Sequence, residues 1–273
     1  MTPIILTAYN RWDTLCKTLH SLRMCTDFSK TPLLVYSDGG DVRKVRNGLK
    51  LLQNYLPNLE VIERTKNIGL KANSIGAILE TFNKYDKCIL IPDDVEVSRD
   101  FILFHNWALR EYEENPDIMF TMGYSPFNDE PIYKTRKLQE GVGLWEAKFP
   151  MLTCDIKTAC SDKKEMKAFG KIDSAYPDML KSSMYGLNQS WMIMLNYEMF
   201  TQNKFCISPG RNKVRHIFTD SENCKEKDKR KFNQKLNEGW DNIPYKDTGN
   251  KWNIFKKTTR FLKHSYYKSR YEN

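Results

Sequence analysis

Over the first hundred residues the chain alternates between apolar runs too short to be helices and stretches with helical spacing, and this alternation limits the possible folds more than any other feature. The runs are residues 3–7 (PIILT), 33–36 (LLVY), 59–62 (LEVI, interrupted by Glu60) and 88–91 (CILI). Between the first two, Trp12, Leu15, Leu19 and Leu22 fall at i, i+3, i+7 and i+10, the stripe of a helix packed on a sheet. Leu49, Leu52 and Tyr55 mark a second helix, and residues 70–83 a third. Strands alternating with helices in this way give a mostly parallel, right-handed, doubly wound α/β sheet. After the fourth run, Ser98 is placed to cap a helix carrying Phe101, Phe104, Ala108 and Tyr112, which Pro116 stops.

Such a sheet collects the loops that follow its strands along one edge, where ligands bind. Tyr9, Asn10, Asp38, Asn67, Asp93 and Asp94 should therefore meet although they are far apart in sequence. Tyr9 can stack on a base, Asp38 can accept from a base N–H or a ribose hydroxyl, and Lys71 near a helix N-terminus can meet a phosphate. Adjacent carboxylates on a tight turn suit Mg2+ or Mn2+, hard cations that share their remaining positions with diphosphate oxygens and water. The same dipeptide also serves as an ordinary turn. No G-x-G-x-x-G follows the first strand and no Walker A pattern occurs, which argues against dinucleotide dehydrogenases and P-loop ATPases.

The segments PIILTAYNRWDTLCKTLHSL, VYSDGG, NIGLKAN and ILIPDDVEVSRDF resemble the nucleotide-sugar half of GT-A-fold glycosyltransferases, particularly family-2-type enzymes and relatives of N-acetylglucosaminyltransferase I. The resemblance implies a metal-dependent transferase (Mn2+ or Mg2+) that takes a sugar from a nucleotide-linked donor, with UDP as the expected nucleotide. It implies that Tyr9, Asn10 and Asp38 bind the nucleoside, that Thr7 and Asn67 also contact the donor, and that Lys71 and Asn73 lie near it. Asp93 would face the ribose or donor sugar, and Asp94 would be the metal ligand of a DXD-like motif. His216 stands where such enzymes sometimes recruit a second protein ligand, whereas His20 and His105 read as surface residues.

Beyond residue 116 the likeness is thinner. Residues 118–122 and 132–134 read as strands, and residues 141–145 (GVGLW) as a Gly-rich turn into a helix, similar to the family's Gly-Trp loop. Residues 191–200 and 206–218 resemble the closing helix and strand of bacterial members. Those relatives carry a general base in a W-D-x-x-W-like segment, but here Asn188 occupies that place, in GLNQSW. An amide has no useful proton affinity near neutral pH, so either the match is shifted in register, or the enzyme does not invert, or another carboxylate is the base, with Asp178, Asp173 and Glu146 the candidates.

The charge is concentrated at one end. Residues 225–273 hold 14 Lys and Arg against 6 Asp and Glu, a net of +8 that leaves +1 of the chain's +9 for residues 1–224. The expected division is a nucleotide-sugar half at 1–116, an acceptor half of the same domain at 117–224, and a basic, aromatic-rich helical extension at 225–273. That extension suits an anionic membrane surface or nucleic-acid phosphates. The acceptor is expected to be a lipid-linked or cell-surface glycan, with hydroxymethylated bases of viral DNA as the alternative and a sugar nucleotidyltransferase as a more distant one. Seven scattered cysteines without a C-x-x-C pair, and no apolar run of the ~20 residues that span a bilayer, lead us to expect a cytoplasmic protein, peripheral at most to the inner membrane face.

Overall fold

A computed structural model describes residues 1–125, 132–150, 156–217 and Leu236. The extension at 225–273 lies, apart from Leu236, outside the described residues.

The first half follows the apolar runs. Strands β1 (Ile4–Ala8), β2 (Leu33–Ser37), β3 (Leu59–Glu63) and β4 (Lys87–Pro92) are parallel in the order β3-β2-β1-β4. Helices α1 (Trp12–Arg23), α2 (Arg43–Gln53) and α3 (Gly69–Phe82) connect them. Successive strand side chains point to opposite faces. Ile4, Leu6, Val35, Ile89 and Ile91 accordingly pack with Leu15, Leu19 and Leu22 of α1 and Leu49 of α2. Ile5, Leu34, Cys88 and Leu90 pack on the other face with Ala77, Ile78 and Phe82 of α3. At β1, β2 and β4 both faces are covered, which explains why these strands show apolar runs instead of apolar-polar alternation, whereas the edge strand β3 exposes Glu60 and Glu63. Tyr55 lies beyond the end of α2 and is 79% exposed, so it is not part of the packed stripe.

The remainder is mixed. After β4 come β5 (Val95–Val97), α4 (Phe101–Glu111), β6 (Ile118–Met122), β7 (Tyr133–Thr135) and β8 (Val142–Trp145). Helices α5 (Ile156–Ser161), α6 (Lys163–Phe169), α7 (Tyr176–Met184) and α8 (Met192–Thr201) then lead to β9 (Phe205–Ser208) and β10 (Val214–His216). Eight strands form one sheet, β3-β2-β1-β4-β8-β6-β9-β7, while β5 and β10 pair separately.

Three expectations are corrected. GVGLW is a buried strand, not a turn into a helix: β8 runs antiparallel between β4 and β6. Its glycine serves packing, because a Cβ on Gly143 would come 2.1 Å from Thr121 Oγ1 and 2.9 Å from His105 Nδ1. Ser98 does not cap α4 with its side chain; Asp100 occupies the cap position, and the Ser98 hydroxyl donates to Asp100 Oδ1 at 2.6 Å.

His105 is likewise a core residue and not a surface one. It is fully buried against the rings of Phe101 and Phe104, with Nδ1 2.9 Å from Thr121 Oγ1 and Nε2 buried without a hydrogen-bond partner. Burial depresses its pKa from 6.5 to about 3. The unfolded chain then takes up a proton near pH 6.5 and the folded one only near 3. Stability present above the first value is lost as pH falls toward the second, by up to about 1.4 kcal/mol per pH unit. His105→Gln should flatten the acid side of the urea midpoint against pH; an unchanged slope would show that His105 titrates normally. His20, by contrast, is exposed.

Candidate active site

The loops that follow β1, β2 and β3 meet at one edge through close backbone approach. A Cβ on Gly39 would fall 2.2 Å from the Lys66 carbonyl carbon, so only glycine lets the second and third loops touch. The Tyr9 hydroxyl lies against Gly40, with Asn67 beyond it. Asp38 ties these loops together. Only 4% exposed, its carboxylate accepts the backbone N–H groups of Gly39 (2.8 Å), Ile68 (2.9 Å) and Gly69 (3.0 Å). The last two open α3, and a carboxylate at a helix N-terminus is favoured by the unpaired amides and the dipole there. Asn67 Oδ1 also accepts from Gly69 N–H, at 2.9 Å.

The fourth loop brings the acidic pair, and Arg11 joins it to the first. The guanidinium reaches both carboxylates, pairing with Asp93 and, at 2.7 Å, with Asp94. Asp93 also lies 3.4 Å from the Tyr9 N–H. The Asp93 side chain is 4% exposed and that of Asp94 23%. Burial lifts the Asp93 carboxyl to about 6, against the opposing pull of Arg11. Burial alone would lower Arg11, yet the two carboxylates outweigh it and its pKa is raised.

A second arm reaches the pair from the far end of the chain. β10 pairs antiparallel with β5, placing His216 opposite Val95, and Ile217 N–H donates to the Asp94 carbonyl at 2.7 Å. His216 Nε2 lies 3.5 Å from Glu140 Oε1. Although burial acts to lower His216, the hydrogen bond and charge of Glu140, with the charge of Asp94, give a net rise. The arm is anchored by a buried ion pair, Lys213 with Asp100, and by Ser98 N–H donating to the Lys213 carbonyl at 2.9 Å.

The other expected residues fall into two groups. Asn10 and Asn67 are exposed at the edge, and Lys71 is half-buried in the first turn of α3 without an ion pair among the described residues. Thr7 lies at the end of β1, its hydroxyl buried without a partner. Asn73 is spent within the fold: its amide donates to the Tyr36 carbonyl at 3.1 Å and accepts from Arg64 Nε at 3.1 Å.

Of the base candidates, Glu146 lies at the opposite end of β4 from the acidic pair. β8 places Trp145 opposite Lys87 at the start of β4, and Glu146 N–H donates to the Asp86 carbonyl. At about 3.3 Å per strand residue, that edge is roughly 20 Å from Asp94. Asp173 is tied to Lys137 and accepts from Ala175 N–H. Asp178 is exposed in the first turn of α7. Its neighbour Met179 accepts the Asn188 amide at 2.9 Å, and Gln189 Oε1 lies 3.3 Å from where a Cβ on Gly69 would be. Asp178 thus stands beside a loop that overhangs the start of α3.

The sequence reading missed Arg11 and Glu140. Arg11 was within reach: in a doubly wound order β1 and β4 are neighbours, so a cation just after YN lies beside an acidic doublet after β4. Glu140 gave no such signal, since its place follows from the reversed β8. Among the described residues no three His, Cys, Asp or Glu side chains form a metal-holding group, and no helix is long and apolar enough to cross a membrane.

No family model matches the sequence, and no curated protein matches it. Solved structures do match. S. aureus TarS 1-349 in complex with UDP-GlcNAc shares 10% identity at a TM-score of 0.50, over 81% of this chain and 60% of that one. A second structure of S. aureus TarS gives 12% and 0.51, over 80% of this chain and 37% of the other. The chain therefore corresponds to part of each. A mannosyltransferase, PcManGT from Pyrobaculum calidifontis in complex with GDP-Man and Mn2+, gives 13% and 0.41 over 54% of this chain and 44% of its own. The architecture these comparisons support is the GT-A type, a large, mostly parallel central sheet flanked by helices.

Proposed function

We infer that this chain is a metal-dependent glycosyltransferase that moves a sugar from a nucleotide-sugar donor, UDP-linked by expectation, to an acceptor hydroxyl on a glycan. The observation that carries this reading is the meeting of Tyr9, the Asp38-braced start of α3 and the Asp93-Asp94 pair along one sheet edge. Each part has a role. Tyr9 offers a ring for the base, and Asn10 and Asn67 are exposed beside it. Asp38 acts through the backbone it holds, fixing the first turn of α3 so that Lys71 can meet a phosphate. Asp93 faces the ribose or sugar.

The donor set suits a divalent cation, since the pair already holds one positive group, Arg11, and an imidazole lies close by. Asp94 and His216 would hold the ion, which when bound neutralises charge developing on the departing diphosphate. Asp178 is assigned to the acceptor's proton. Tyr185 and Leu187, 68% and 78% exposed on the loop beside Gly69, offer the apolar surface against which a sugar ring packs.

The test is a thermal-shift screen of nucleotide sugars with and without Mn2+. A donor at a hundred times its Kd adds about 2.7 kcal/mol, a rise of roughly 5–10 °C for a chain of this size. A melting temperature unmoved by every nucleotide diphosphate, with or without the ion, would overturn the reading.

A further inference from the structure

We propose that Arg11 is a resident counter-cation that competes with the divalent ion for Asp93 and Asp94 and is handed to the donor's diphosphate when that ion binds. The inference rests on reading Asp94 as the metal ligand.

Three observations lead to it. First, one guanidinium spans both carboxylates, so the acidic pair is already neutralised in part by the protein itself. Second, the contact is asymmetric in burial. The Asp93 side chain is 4% exposed, Asp94 23% and Arg11 45%, so the guanidinium closes the pair from the solvent side, where an incoming ion would enter. Third, among the described residues the Arg11 side chain makes no other hydrogen bond or ion pair, and its carbonyl, which accepts from Leu15 N–H and Thr14 Oγ1 at the start of α1, stays in place when the side chain moves.

Charge then dictates the exchange. Two carboxylates and one guanidinium sum to one negative charge, and adding a divalent ion while Arg11 stays would leave one positive charge with two cations side by side. Like charges at such separations repel strongly in a partly buried site. The monovalent, mobile partner is the one to leave. A guanidinium released beside the ion meets the oxygens of the diphosphate, which it matches in bidentate geometry better than an ammonium does. Arg11 is therefore a positioning group with two alternative partners. In the absence of ion it stops the acidic pair from facing itself uncompensated, and in its presence it helps hold the leaving group.

The experiment titrates MnCl2 alone into the wild-type chain and into R11Q, R11K and R11Q/D94N by calorimetry, with thermal melts confirming that each variant is folded. Loss of one partly buried charge contact corresponds to about tenfold or more in affinity, so R11Q should bind Mn2+ at least about tenfold more tightly than wild type. R11K should stay close to wild type, and R11Q/D94N should lose the gain. With Mn2+ saturating, UDP should bind R11Q about tenfold more weakly than wild type, as expected for a lost Arg–phosphate contact. Equal or weaker Mn2+ binding by R11Q overturns the competition while leaving Asp94 a ligand, and unchanged UDP affinity overturns the handover. If no folded variant binds Mn2+, the metal reading itself fails and the inference falls with it.

Discussion

Asp94→Ala should lower sugar transfer by about a thousandfold and leave the fold intact. The size follows from the several kcal/mol that a charge-neutralising cation contributes at a leaving group, each 1.4 kcal/mol being about a factor of ten. The sparing of the fold follows from geometry. The Asp94 side chain is partly exposed, and the contact that secures β10, Ile217 N–H to the Asp94 carbonyl, involves only backbone and survives the change. Arg11 also retains Asp93. The melting temperature should therefore move little while turnover collapses. Full activity of this variant in metal-free buffer would sink the scheme, and a large drop in stability would move Asp94 from the chemistry to the scaffold.

The largest loss of stability is expected at Lys213. Its ammonium and the Asp100 carboxylate form a pair with side chains 5% and 7% exposed, and Ser98 supplies a further hydrogen bond to Asp100. Lys213→Ala leaves that carboxylate buried without its counter-charge, which typically costs about 3–5 kcal/mol, or roughly 10 °C in Tm. Removing both charges is milder than removing one, because an apolar pair of similar volume needs no desolvation. Asp100→Leu with Lys213→Met should recover most of the loss. The consequence reaches the site, because the Lys213 backbone joins β10 to the start of α4 and so holds His216 near Asp94. Denaturant titration of the wild type and both variants decides the matter; a cost under about 1 kcal/mol for Lys213→Ala would show that water reaches the pair.

The parallel half was legible because its signal is local. Apolar runs buried on both faces and stripes such as Trp12, Leu15, Leu19 and Leu22 report which side of each element faces the core, and right-handed crossovers then bring the loop ends to one edge. Tyr9, Asp38 and Asp93 could be placed together on that basis alone. Residues 141–145 failed the same test: two glycines in five residues read as a turn, and only the register of Gly143 opposite Thr121, beside His105, shows a strand that must lack side chains there.

Which partner each polar group takes was decided by the tertiary structure. Asp38 is more than 25 residues from the amides of Ile68 and Gly69, Arg11 more than 80 from Asp94, and Asp100 more than 110 from Lys213. No periodicity links such pairs, because a hydrogen bond or ion pair depends on where two backbones end up and not on the spacing within either. The sequence by itself determined that the loops after the parallel strands share one edge and that acids stand on it. The packing determined that Asp38 braces a helix, that Glu146 stands at the wrong end of the sheet, and that a single arginine already sits across the two acids.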